Sequence, residues 1–472
     1  MFNKLKEECG VFGIYSMKKD EDLASITCIG LSGLQHRGEE SCGIAVNDGG
    51  LIYCEKDIGL VNEVFTQDML SKLPTGKISI GHVRYSTTGA PKKENAQPIL
   101  KRYAKGNICV VHNGNLTNTE ELRNELEMHG AIFNSTSDTE VICSIIARER
   151  LKTNSIEEAV INATKYLKGA YSLLVMSSRK LVAVRDPYGF RPLCMGKLGD
   201  DYVFASESCA LDVVGADFVR DVKPGEIITI YNDEIKTQNF RKDEKDGLCI
   251  FEYVYFSRPD SNIDGMNVHK FRELAGKYLA EQAPVDADFV AGVPDSGLDA
   301  ALGYSKYSKI PYDIAFVKSK YIGRTFIQAT QNKRKSQVAL KLNPISETVK
   351  GKRIVLIDDS IVRGTTITRI IKVLRRAGAK EVHLRIASPA FLGVCYFGTD
   401  VTDKKGLIAT QKTVEEIRQQ IGADTLEYLS LENLRKIAEG SNMKGFCEGC
   451  FTSKYPIDVP DELKKDKFEK IF

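Results

Sequence analysis

Residues 353–368 read RIVLIDDSIVRGTTIT. Behind Arg353 lies a short apolar run of the kind that forms a buried strand. It ends on two carboxylates, Asp358 and Asp359, followed by Ser360, Gly364, Thr365 and Thr366. A helix then follows, with Ile367, Ile370, Ile371 and Leu374 on one face and Gly378 near its end. EVHLRIAS (381–388) is the next strand. Strand, helix and strand make a βαβ unit, hence a parallel sheet that takes ligands at its strand C-termini. Small residues let backbone approach an anion, and the first amides of a helix bind phosphate. The aspartate pair would repel a phosphate, but it suits ribose hydroxyls or a Mg²⁺ ion beside a diphosphate. The loop is therefore built for a sugar phosphate that carries a second, metal-bound phosphate group. A capped helix after a polar turn explains less of the pattern.

The chain has 472 residues, too many for one core and enough for two domains. Its 42% hydrophobic and 27% charged content is ordinary for a globular protein. A net charge of only +3 gives no basic field for nucleic acid. No apolar run is long enough to cross a bilayer. The first eight residues, MFNKLKEE, lack the apolar core of a secretory signal and are too short for a transit peptide. A cytoplasmic location is expected, with no membrane or nucleic-acid partner. Twelve cysteines are many for a reducing compartment, where clusters point to metal or catalysis. Most stand alone in apolar runs, as Cys109 and Cys143 do, and read as plain core thiols.

The sharpest change of composition is NFRKDEKDG (239–247), read as a linker. Before it, KISIGHV (77–83), NICVVHNG (107–114), YSLLVMSS (171–178) and KLVAVRD (180–186) read as strands. Two helices interrupt them. One starts near Asn118, with Glu121 placed to complete a capping box. The other is SDTEVICSIIARER (137–150), with Val141, Ile142, Ile145 and Ile146 at helical spacing. The first half is therefore α+β, with layered sheets flanked by helices, and the second is α/β.

The 353–368 loop resembles the 5-phosphoribosyl-1-pyrophosphate (PRPP) loop of type I phosphoribosyltransferases. The resemblance implies that Asp358 and Asp359 meet the ribose hydroxyls and Mg²⁺. It implies that Ser360, Arg363, Gly364, Thr365 and Thr366 cradle the 5′-phosphate. GVPDSG (292–297) is similar to the loop that meets pyrophosphate, with Ser296 on the metal side. KSKYIGRTFIQ (318–328) looks like that family's flexible loop. Its Lys318 and Arg324 would neutralise departing pyrophosphate, and its closure would exclude water.

Four short motifs mark the first half: LQHRGEES (34–41), GHVRYST (81–87), HNGNL (112–116) and SDTE (137–140). Singly, Arg84 reads as a surface arginine, Asn113-Gly114 as a turn and Asp138 as a helix cap. Together with CGVFGI (9–14) they resemble the αββα glutaminase domain of N-terminal-nucleophile amidotransferases. The resemblance implies that Cys9 attacks the glutamine amide and that Asn113 and Gly114 form the oxyanion hole. Arg84 would pair with the α-carboxylate of glutamine and Asp138 with its α-ammonium. A thiol of pKa about 8.5 needs a base at neutral pH. A chain-terminal amine, of pKa about 7.7 to 8.0, serves only if Cys9 is the first residue. Cleavage between Glu8 and Cys9 is expected. The implied units are a 1–8 propeptide, a 9–238 glutaminase domain and a 248–472 phosphoribosyltransferase domain with a C-terminal extension.

The two resemblances together imply an enzyme that consumes glutamine, PRPP and water and yields 5-phosphoribosylamine, glutamate and pyrophosphate. That pentosyl transfer opens de novo purine (IMP) synthesis. Ammonia would pass from Cys9 to the anomeric carbon inside the protein. The resemblance adds purine nucleotides as feedback inhibitors and a homotetramer. One alternative is another glutamine amidotransferase of the same class, which would need no PRPP loop. The other is a PRPP-sensing regulator of purine genes, which leaves the glutaminase motifs unexplained. CEGC (447–450) by itself is ambiguous between redox, zinc and iron–sulfur. No second Cys-x-x-Cys exists to complete a zinc ribbon. Similarity to members of this family that carry a [4Fe–4S] cluster places the ligands on Cys249, Cys395, Cys447 and Cys450, and four thiolates suit such a cluster. Its implied role is structural.

Overall fold

The structure, a computed structural model, describes residues 8–18, 20–85, 92–242, 245–319 and 342–460. Leader residues 1–7, Ser86 and Thr87 of the GHVRYST motif, and Arg324 with the rest of 320–341 lie outside them.

The first half alternates apolar and polar residues in short runs, and these become β1 (Gly10–Tyr15), β2 (Ser41–Asp48), β3 (Leu51–Ile58), β4 (Ile78–Arg84), β5 (Ile99–Tyr103), β6 (Gly106–Leu116), β7 (Gly169–Ser177), β8 (Leu181–Arg185), β9 (Cys194–Leu198), β10 (Asp201–Ala205), β11 (Asp217–Asp221), β12 (Glu226–Tyr231) and β13 (Glu234–Asn239). They form a seven-stranded sheet ordered β11-β9-β10-β1-β4-β2-β3 and a six-stranded sheet ordered β13-β12-β8-β7-β6-β5. Val11, Ile80, Val111, Leu174 and Ala183 pack between the two inner faces. Helices Leu23–Gly33 and Ser208–Val214 cover the outer face of the first sheet. Helices Asp138–Lys152 and Ile156–Thr164 cover that of the second. The result is the αββα layering expected from the motifs.

The four strands and the 137–150 helix lie where the spacing places them. Val141, Ile142, Ile145 and Ile146 are all fully buried. The helix after Asn118 also forms, as Thr119–Met128, but without the expected capping box, because the Asn118 side chain makes no cap bond. That amide instead donates to the Tyr166 carbonyl (2.9 Å) and accepts from the Lys168 amide (3.1 Å), tying the turn before β7. Helix Leu23–Gly33 escapes the periodicity because its buried face is made of small residues. A Cβ on Gly30 would lie 2.3 Å from the Phe12 ring, and Thr27 donates to Ser79 at 2.8 Å. The helix lies nearly against the sheet backbone, so it shows no apolar stripe of large side chains.

The second half opens with β14 (Leu248–Cys249) and a small hairpin, β15 (Asn262–Ile263) with β16 (Met266–Asn267). Its sheet contains β17 (Phe289–Gly292). Two short strands, β18 (Phe316–Lys318) and β19 (Leu342–Pro344), pair with each other. The sheet continues with β20 (Arg353–Asp358), β21 (Glu381–Ile386) and β22 (Thr425–Tyr428), and β23 (Phe446–Cys447) follows. The order is β17-β20-β21-β22, all parallel. Ile354 and Leu356 pack beneath helix Thr365–Arg376 on one face. Val355 and Ile357 pack with Phe271 and Tyr304 on the other. Burial on both faces explains why RIVLIDD shows no alternation. β14 pairs with β23 in parallel, placing Cys249 opposite Cys447. No described helix is long and apolar enough to cross a membrane.

Candidate active sites

The phosphate loop lies where the βαβ reading places it. β20 ends at Asp358, and helix Thr365–Arg376 starts after Gly364, whose φ of +74° favours glycine. Asp358 and Asp359 are both 2% exposed. The Asp359 carboxylate accepts from the Ser296 hydroxyl on one oxygen and from the Ser360 hydroxyl on the other, the latter at 2.5 Å. The GVPDSG loop thus reaches the aspartate pair from β17, and the Val293 amide donates to the Ile357 carbonyl at 2.8 Å. Gly297 is needed for this approach, since a Cβ there would lie 2.5 Å from that same carbonyl oxygen. Lys318 extends from the end of β18 and pairs with Asp295 in the GVPDSG loop. Arg363 runs along the 404–406 turn, its Nε 3.2 Å from where a Cβ on Gly406 would stand. Two buried carboxylates and a hydroxyl form a hard-oxygen set of the kind Mg²⁺ takes.

In the first half, Cys9 precedes β1 directly. The antiparallel register of β1 with β4 pairs Gly10 with Val83 and so brings Cys9 beside Arg84. Cys9 is 6% exposed, and its thiol donates to the Tyr85 carbonyl at 3.4 Å. Burial pushes that thiol up to about 11, so in the chain with Glu8 attached it is protonated at neutral pH. Arg84 is 3% exposed and pairs with Glu40 at 2.7 Å. Gly38 lets LQHRGEES approach this strand, because a Cβ there would meet the Arg84 backbone at 2.7 Å.

Ser206 joins β1 to β6. It accepts from the Val11 amide (2.9 Å) and from the Asn113 side-chain amide (3.4 Å). The Asn113 Oδ1 is buried without a hydrogen-bond partner among the described residues. Gly114 has φ +141°, and a Cβ on it would lie 2.1 Å from the Ala170 carbonyl oxygen. Gly114→Ala is therefore expected to cost on the order of 2–3 kcal/mol of stability, read as a lowered thermal midpoint.

A His–Asp pair invisible to local sequence reading stands here. His112 Nδ1 lies 3.4 Å from Asp138 Oδ1. The other nitrogen, Nε2, faces the Ala170 carbonyl at 3.2 Å. His82 is held by the His112 carbonyl at 3.0 Å, and burial pushes it down to about 3. Each imidazole thus spends Nε2 on a carbonyl, and His112 turns Nδ1 to Asp138. The Nδ1 of His82 is buried without a hydrogen-bond partner among the described residues, on a ring that burial makes a weak base. Burial alone would push the Asp138 carboxyl up, but His112 and the Leu116 and Thr139 amides outweigh it and hold it below its ordinary value.

Around Cys9 lies a buried charge network that the sequence reading missed. Arg37 donates from Nε to the Cys9 carbonyl (2.9 Å), from Nη1 to Glu207 (2.6 Å) and from Nη2 to Glu252 (2.8 Å). Arg191 reaches Glu252 at 3.1 Å and the Phe397 carbonyl at 2.7 Å. Burial raises the Glu252 carboxyl, and the two guanidiniums outweigh it, so the group stays below its ordinary range. Glu252 and Phe397 belong to the second half. The Asn115 side chain also donates to the Tyr396 carbonyl at 2.9 Å. His36, Glu207 and Cys209 form the one described His/Cys/carboxylate trio with ligand atoms within 4.8 Å of one another. Glu207 is already spent on Arg37, His36, Ser261 and the Arg258 amide, so the trio is structural.

Cys249, Cys395, Cys447 and Cys450 line a single apolar cavity with Phe251, Phe391 and Phe397. No three of their sulfurs all lie within 4.8 Å of one another, whereas thiolates sharing one zinc ion through bonds of about 2.3 Å would stand roughly 3.8 Å apart. Burial pushes Cys447 up to about 12 and Cys249 and Cys450 well above their ordinary range. The Phe397 amide donates to the Cys395 sulfur at 3.4 Å. An apolar chamber walled by four thiols, with an amide aimed at one sulfur, fits a soft cluster larger than one ion.

Residues 82–213 match the glutamine amidotransferase domain family and residues 266–388 the phosphoribosyl transferase domain family. The chain is 49% identical to the amidophosphoribosyltransferase of Methanocaldococcus jannaschii, over 98% of this chain and 99% of that one. It is 47% identical to that of Bacillus subtilis, over 96% and 95%. Among solved structures, the B. subtilis glutamine PRPP amidotransferase complexed with ADP and GMP superposes with a TM-score of 0.90 at 46% identity, over 97% of this chain and 99% of that one. A structure described as the allosteric regulatory enzyme of purine biosynthesis gives 0.91 at 45%, over 98% and 99%.

Proposed function

This chain belongs to the amidophosphoribosyltransferase family, and from that premise we propose how its two sites divide the work. The activity is glutamine-dependent transfer of nitrogen to PRPP, a pentosyl transfer of purine biosynthesis. One observation carries the division of labour. Tyr396 and Phe397 of the second half rest on Asn115 and Arg191 of the first, so the sites share a wall rather than a tether.

In this reading Cys9 attacks the amide of a glutamine held by Arg84 and Asp138. Asn113 and the Gly114 amide take the oxyanion. The Asn113 side chain has one contact to Ser206 on its nitrogen, at the long distance of 3.4 Å, so it is free to swing its donor toward a substrate oxygen. The base is the amine that Cys9 gains when residues 1–8 are removed, since His112 is taken up by Ala170 and Asp138 and burial makes His82 a weak base. Ammonia crosses the shared wall. Asp358, Asp359 and Ser296 hold Mg²⁺, which supplies charge neutralisation on the diphosphate. Ser360, Arg363, Gly364, Thr365 and Thr366 receive the 5′-phosphate, and Lys318 and Arg324 accompany pyrophosphate. The units are 1–8, 9–238 and 248–472, joined by 239–247. Purine nucleotides, seen as ADP and GMP on the B. subtilis relative, act as inhibitors of a cytoplasmic homotetramer.

The four cysteines hold a [4Fe–4S] cluster, which supplies a covalent tie between β14, β23 and the 395 loop. Protein purified without oxygen is expected to contain about four iron and four sulfide per chain, and Cys450→Ser to lose both. Iron-free protein of full stability would sink this assignment. The function itself is tested by pyrophosphate release from PRPP with glutamine or with ammonium. Release with ammonium but never with glutamine would reject the glutaminase half of the reading.

A further inference from the structure

Glu8, the last residue before Cys9, is 1% exposed and its carboxylate is seated in a specific place. One oxygen accepts from the Thr399 hydroxyl at 2.7 Å, and the other pairs with Arg191. Arg37 holds the Cys9 carbonyl from the other side at 2.9 Å. The residues on either side of the Glu8–Cys9 bond are thus both held, Glu8 by its side chain and Cys9 by its carbonyl. Thr399 belongs to the second half, 391 positions along the chain. Its loop is held against the first half by three contacts. The Tyr396 carbonyl accepts from Asn115, and the Phe397 carbonyl accepts from Arg191. Gly398 takes φ +127° with its α-carbon so close that a Cβ would stand 3.0 Å from the Arg191 guanidinium and 3.5 Å from the Gly114 carbonyl carbon.

Three buried carboxylates, Glu8, Glu207 and Glu252, face the guanidiniums of Arg37 and Arg191, and His36 stands on Glu207 at 2.8 Å. When Glu8 leaves, Glu252 still pairs with both guanidiniums and Glu207 with Arg37 and His36. A residue that is held in a specific seat before cleavage, and whose departure leaves the remaining charges paired, is suited to a leaving segment.

We propose that Thr399 and Arg191 form a processing pocket that seats Glu8 and presents the Glu8–Cys9 bond for hydrolysis. Water adds across that bond: the carbon–nitrogen link breaks, Glu8 keeps a new α-carboxylate and Cys9 gains the α-amine. Because Thr399 lies in the second half, the pocket exists only once the two halves have docked. The leader is thereby kept in place until the ammonia acceptor domain has folded. This inference rests on the reading that mature protein begins at Cys9.

Thr399→Val keeps the volume and removes the hydroxyl. In the full chain it is expected to slow conversion to the Cys9-initiated form at least tenfold, followed by intact mass over time after synthesis. Glu8→Leu is expected to slow it similarly. A second Thr399→Val chain lacks residues 2–8, so that removal of Met1 exposes Cys9 directly. It is expected to use glutamine within twofold of the same shortened chain carrying Thr399. If wild-type protein is fully active with residues 1–8 attached, the cleavage reading itself fails. If wild-type protein is cleaved and Thr399→Val is cleaved equally fast, the pocket is wrong. If the shortened Thr399→Val chain loses glutamine use more than tenfold, Thr399 serves the fold or the glutamine chemistry, and the proposal is overturned.

Discussion

Cys9→Ala is expected to lower glutamine-dependent pyrophosphate release by at least about a thousandfold, with ammonium-dependent release kept within severalfold. In the proposed reading the Cys9 sulfur has no substitute: His112 is held by Ala170 and Asp138, and burial makes His82 a weak base. Alanine fits the buried space because it removes one atom and adds none. In the proposed division of labour the ammonium reaction takes place in the second half. Steady-state kinetics with each nitrogen source decides the matter. Equal losses with glutamine and ammonium would mean that Cys9 acts through the fold and not as a nucleophile.

The opposite pattern is expected at Asp359. Asp359→Asn should reduce pyrophosphate release roughly 10²–10³-fold with either nitrogen source, while glutamine hydrolysis at Cys9 survives. Both Asp359 oxygens accept hydroxyl donors, from Ser296 and from Ser360. An amide nitrogen cannot accept, so one hydroxyl must turn its proton elsewhere and accept from the amide instead of donating to the carboxylate. The same change removes a negative charge from the hard-oxygen set. Retention of ammonium-dependent release in Asp359→Asn would remove the residue from the PRPP site.

Much of both sites is legible in the sequence because their chemistry is local. The strand, the aspartate pair and the helix start that follow one another in 353–368 are contiguous, so spacing alone carries the phosphate loop. Gly114 is legible only through the family resemblance: taken alone, Asn113-Gly114 reads as a turn, and the strand, the positive φ and the crowding against Ala170 that require glycine appear only in the fold. Arg37, Arg191, Glu252 and Thr399 are not legible. Each is an ordinary polar residue in its own segment, and its meaning comes only from partners up to 391 positions away. The His112–Asp138 pair is hidden the same way, since a strand and a helix start must meet to form it. Asn118 shows the converse, a local signal overridden by a tertiary bond to the turn at Tyr166 and Lys168. Helix Leu23–Gly33 was hidden because close packing against β1 selects small side chains and erases the apolar stripe.

The Arg37–Glu252–Arg191 clamp has a consequence for how such enzymes can be recombined. Two cations contributed by the amide-handling half share one anion contributed by the other, all of them wholly shielded from water. A hybrid joined at the 239–247 seam to a foreign acceptor domain would inherit both guanidiniums without Glu252, leaving Arg37 on Glu207 alone and Arg191 with no carboxylate once Glu8 is removed. Breaking a buried pair of this kind costs about 3–5 kcal/mol, a large share of a domain's stability. The seam visible in the sequence is therefore not a free cutting point, and a transplanted glutaminase half would need a glutamate supplied at the position of Glu252.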